Sequence, residues 1–142
     1  MTRRLAALLV GALLFSACAS QSPAQAMRTW VTQSAFHTAV STMRSDARHA
    51  ATQLRNAATG PNVLHTVCGV LSVDALSANS SLPTPDDQAT TLLGHAYDAF
   101  GAAAQLCYRA AGDAVTRRRA IADLERAVAT LAEARARVAA AS

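Results

Sequence analysis

The chain has 142 residues, about half of them apolar, which suits one hydrophobic core and excludes a multi-domain protein. Its basic side chains are all arginine, and outside the N-terminal segment eleven of them face nine carboxylates, a net charge of only about +2. That balance excludes the strongly basic surface a nucleic-acid binder needs, and alanine at about a quarter of the residues records genome composition rather than a function.

The first element is an address. Arg3 and Arg4 precede the apolar run Leu5–Phe15, which passes through Ser16-Ala17 to Cys18. Charge, apolar stretch and small residues in that order make an export signal, and about 11 apolar residues are too few against the ~20 that span a bilayer. Phe15-Ser16-Ala17-Cys18 resembles the lipobox of bacterial lipoproteins, with Phe15 where leucine is usual. The resemblance implies diacylation of the Cys18 thiol, cleavage before it, and anchorage on the outer face of the cell membrane. Ordinary signal cleavage, after Ala19 or Ala26, is the alternative and gives a secreted protein without lipid. The expected division is a signal peptide over 1–17, a lipidated tether over 18–27 and a helical domain over 28–142.

Four helices follow. The first carries the stripe Phe36, Val40, Met43, Ala47, Ala50, Leu54 and Ala57, spaced alternately by four and three. Its start is open: Ser22-Pro23-Ala24-Gln25 has the form of a capping box, or else Ala19–Met27 is a flexible stalk. Gly60-Pro61 ends this helix and begins a short second one, about 61–77, with Leu64, Cys68, Leu71 and Ala75 on one side and Val63, Val67 and Val70 beside them. Ser77–Pro83 reads as an extended linker, and Thr84-Pro85-Asp86-Asp87 as a helix start with Thr84 as its cap. The third helix, about 85–111, has two stripes, one of Leu92, Ala96, Ala99, Ala103, Leu106 and Ala110 and one of Leu93, Tyr97, Phe100, Ala104, Cys107 and Ala111, and is expected to be the central one. Gly112 caps it and Asp113 starts the fourth, about 114–140, with Ala120, Leu124, Ala127, Leu131, Ala134 and Val138 inward and a Glu133–Arg137 pair at i,i+4. The fold class is all-α: an antiparallel four-helix bundle with a short second helix and an extended linker before the third.

Cys68 and Cys107 are the remaining cysteines, and in an exported protein a disulfide is their expected state. A tight hairpin between the second and third helices would hold them about 20 Å apart. A linker running along the bundle edge brings them to one depth and permits the bond.

The polar residues do not assemble a reaction. His65 shares a face with Cys68, but a structural zinc wants four ligands and no fourth is evident. His95 with Asp98, and His37 and His49, lack a nucleophile elbow or oxyanion hole near them and read as solvated faces. Trp30 and Tyr108 are expected in the core. No enzyme activity, cofactor or metal is expected. Arg117-Arg118-Arg119 opposes the dipole of its own helix; it reads as a solvated face offset by Asp113 and Asp123, or as a contact for an anionic partner.

Two cysteines bracketing Leu82-Pro83-Thr84-Pro85-Asp86 resemble a set of small secreted or lipidated helical proteins of mycobacteria and related actinobacteria. That resemblance implies a fold and carries no activity. The expected function is a non-enzymatic interaction module of the cell envelope, held to the membrane by its N-terminal lipid and contacting an envelope protein. The alternative is a carrier of a lipid or other apolar ligand in the alanine-lined seams. The oligomeric state is left open.

Overall fold

A computed structural model describes residues 21–142, so the expected signal peptide over 1–17 and Cys18 lie outside the described residues. The described chain is all-helical, with α1 Pro23–Gln33, α2 Phe36–Arg55, α3 Pro61–Asn79, α4 Asp87–Arg109 and α5 Ala114–Ala141. None of these helices is long and apolar enough to cross a membrane.

Helices α2 to α5 form the expected antiparallel bundle, closed as a ring in which each helix packs on two neighbours: α2 on α3 and α5, α4 on α3 and α5. The double-striped helix, α4, carries the largest share of the packing, against both α3 and α5, as its two stripes imply. The heptad stripes face inward as their spacing requires, with Val40, Met43, Leu64, Leu71, Leu93, Phe100, Leu124 and Leu131 all buried. Ala57 lies beyond the end of α2 and is exposed.

The N-terminal helix differs from expectation by breaking in two. Ser22 accepts from the Gln25 backbone N–H while the Gln25 side chain accepts from Ser22, so the capping box is used and helix starts at Pro23. Ala35 then sits in the left-handed region at φ 49°, turning the chain between α1 and α2. This turn lays α1 across one end of the bundle. Met27 enters the core, the Trp30 ring meets Phe36 with centroids 5.4 Å apart, and Trp30 Nε1 donates to the Ser81 carbonyl at 2.9 Å.

The break also shortens α2 to 20 residues, against 19 in α3, so α3 is not the short partner that the sequence implies. At 1.5 Å per residue both are about 30 Å long. The linker shifts accordingly, to Ser80–Asp86: a turn at Ser80-Ser81 opens it, and it then advances about 13 Å along the bundle, the offset that brings Cys68 level with Cys107. Thr84 is buried there: its hydroxyl donates to the Asp86 carbonyl at 2.7 Å, and its N–H donates to the Thr90 hydroxyl at 2.8 Å. Asp86, not Thr84, is the N-cap of α4, accepting from the Ala89 N–H at 2.7 Å. At its other end α4 stops at Arg109 with Ala110 as C-cap, so Gly112 is not the cap. Asp113 caps α5 as expected, accepting from the Val115 and Thr116 N–H groups.

Candidate functional site

Three groups of residues stand out, and the first is the cysteine pair. Cys68 on α3 and Cys107 on α4 are fully buried at one depth, with Cα atoms 5.8 Å apart and sulfurs at bonding distance. One turn before Cys68, the His65 ring stacks on Tyr108, the residue after Cys107, with centroids 4.0 Å apart and planes 12° from parallel. Tyr108 is therefore not a core residue; it is about half exposed and roofs the outer side of the cysteine pair together with His65. Among the described residues no group of three or more histidine, cysteine and carboxylate side chains is placed to hold a metal.

The second group is the arginine triplet, which divides in two. Arg118 and Arg119 are exposed, whereas Arg117 is buried. Its Nε donates to the Ala110 carbonyl at 3.3 Å, Nη1 to Asn56 at 2.8 Å, and Nη2 to Thr59 at 2.8 Å and Ala111 at 3.0 Å. Asn56 and Ala110 are the C-caps of α2 and α4. The side chain thus serves the negative ends of two helices while rooted at the positive end of a third, and those two contributions outweigh the opposition of its own dipole. Arg117 is not available to an anionic partner, and only Arg118 and Arg119 of the triplet remain at the surface. The carboxylates expected to offset the triplet act elsewhere. Asp123 pairs with Arg126, and the Thr116 hydroxyl and backbone N–H groups, more than Arg118, hold Asp113 below the usual carboxylate range.

At the opposite end Arg137 pairs with Asp86 of α4 rather than with Glu133. Its Nε lies 2.9 Å from one carboxylate oxygen and its Nη2 closes the fork on the other. That contact and the backbone N–H groups lower the Asp86 pKa.

The third group was only half visible in the sequence. On α3, Val63, Val70, Val73 and Leu76 lie opposite the buried stripe and are 46, 48, 65 and 69% exposed. Asn62, Thr66, Ser72 and Ser77 are the polar residues among them, and α3, with no arginine and Asp74 as its one carboxylate, has no charged outer face. Facing α2, Asp74 meets Asp46. Desolvation, then the hydrogen bond and repulsion from Asp46, raise its pKa to about 6.

His37, His49, His95 and Asp98 are exposed and scattered, and no serine lies in hydrogen-bond contact with any of them among the described residues. No family model matches the chain, and no similarity to a curated protein or a solved structure is found.

Proposed function

We propose that this chain is a non-enzymatic interaction module of the cell envelope, tethered through Cys18 to the outer face of the membrane and engaging a protein partner through the outer face of α3. The observation that carries the reading is the uncharged, apolar surface of Val63, Val70, Val73 and Leu76 on a helix whose other side is already filled by core. Isolated exposed valines are ordinary, but four on one helix without an intervening charge form a patch of the kind that protein interfaces cover. The partner surface is of matching chemistry, apolar and uncharged. Support for the compartment comes from the export segment and from a cysteine pair suited to an oxidising space.

A photo-crosslinking residue at Val70 or Val73 of the full chain, in intact cells, tests the interface. The expected result is a protein adduct of one defined mass that is absent when the probe stands at Arg119 or Glu133 and is lost on Leu76→Asp. Equal labelling at all four positions would overturn the interface. Membrane fractionation tests the tether separately: the native chain sediments with membranes and Cys18→Ser does not.

A further inference from the structure

The side of the bundle away from the outer face of α3 carries three separate grooves, one between α1 and α5 and two on the α2–α5 seam. A groove of about 700 Å³ lies at the α1 end, one of about 460 Å³ follows it, and one of about 300 Å³ lies near Arg117. The cause is the alanine content. Ala47 and Ala51 of α2 meet Leu124 and Val128 of α5, and side chains this small leave the seam between two helix backbones partly unfilled.

The groove at the α1 end combines an apolar floor with positive charge. Its floor is Val31, Phe36 and Val138 with flanking alanines of α5, and its rim carries Arg28, His37 and Arg135. No aspartate or glutamate side chain lines it. Arg28 is already aimed at the mouth, where Nη1 donates to the main-chain oxygen of Ser142, and Arg135 is exposed with no ion-pair partner among the described residues. Two guanidinium forks beside an apolar floor match a ligand with one carboxylate head and one alkyl chain.

We infer that this groove is a binding site for a free long-chain carboxylate, its head on Arg28 and Arg135 and its chain over Val31, Phe36 and Val138. The site is independent of the α3 face and of the proposed partner.

The test uses the full chain carrying Cys18→Ser, which removes any covalent acyl group, titrated with 11-(dansylamino)undecanoic acid and with its methyl ester. Saturable binding of the acid is expected, weakened about tenfold or more by Arg135→Glu, as loss of a charge-assisted contact implies. The ester should bind more weakly and be indifferent to that change. Ala136→Phe should block the acid, with circular dichroism confirming that both variants are folded. Absence of saturable binding, equal affinity for acid and ester, or insensitivity to Arg135→Glu would overturn the assignment. So would binding to anionic phospholipid vesicles without binding of the free acid, which would make the groove a membrane contact.

Discussion

Arg117 donates to the carbonyl of Thr59 at 2.8 Å, joining the first turn of α5 to the loop between α2 and α3 across 58 residues of chain. With its bonds to Asn56, Ala110 and Ala111 it ties three helix ends to one side chain. Arg117→Ala leaves those carbonyls without a donor and is expected to cost about 2–4 kcal/mol, read by denaturant unfolding. Arg117→Lys should recover little of this, because an ammonium cannot spread over the same fork. Arg118→Ala and Arg119→Ala should each stay within about 0.5 kcal/mol.

The cysteine pair closes a loop of 39 residues. Cys68→Ala with Cys107→Ala is expected to cost up to about 3.9 kcal/mol on the chain-entropy scale, a large share of a small domain's stability. Thiol titration of the native protein without reductant should find neither cysteine free, and two reactive thiols would contradict the bond.

Asp74 gives the protein an inverted response to mild acid. Its folded pKa of about 6 lies above the unfolded 3.8, so the native state binds the extra proton. Its stabilising contribution is complete below 3.8 and is lost as pH rises through 6. Asp74→Asn should therefore be more stable than the native chain at pH 7, nearly equal to it at pH 4, and flatter between them. Asp86 and Asp113, with lowered pKa values, have the opposite sign, and their contribution is lost only as pH falls below the usual carboxylate range. Unfolding midpoints across pH 3–8 for the native and Asp74→Asn chains check this.

Asp86 serves two helices, as N-cap of α4 and as acceptor for Arg137 of α5. Asp86→Ala removes both roles and should lower the melting temperature more than Arg137→Ala, which removes one. In a double-mutant cycle the pair should be coupled, whereas Glu133 and Arg137 should not be.

Much of the core could be read from the sequence because spacing alone decides which side of a helix turns inward: the stripes through Val40, Leu71, Phe100 and Leu131 are buried where the heptads put them. Arg117 was missed, yet the signal was present. Stepping the α5 stripe of Ala120, Leu124 and Ala127 back by three lands on Arg117, a position that identifies it as inward-facing before any partner is known. The turn at Ala35 had no such mark, since neither glycine nor proline stands there and the left-handed backbone is imposed by the packing of Met27 and Trp30 against the bundle end. Asp86–Arg137 was equally hidden, because a pair 51 residues apart depends on how two helix ends meet. The α3 valines were visible as apolar residues, but only the ring arrangement of four helices leaves their side uncovered.

The cysteine pair sits toward the same end of the bundle as Arg117, so that end is held by a covalent bond and by a guanidinium bridging three helix ends. The other end is closed by α1, the Trp30–Ser81 hydrogen bond and the Asp86–Arg137 fork, none of them covalent. The molecule is therefore built like a clothes-peg, with a sprung hinge at one end and jaws at the other. Amide hydrogen exchange is expected to be faster at the jaws, around Trp30, Ser81 and Asp86, than around Cys68 and Arg117.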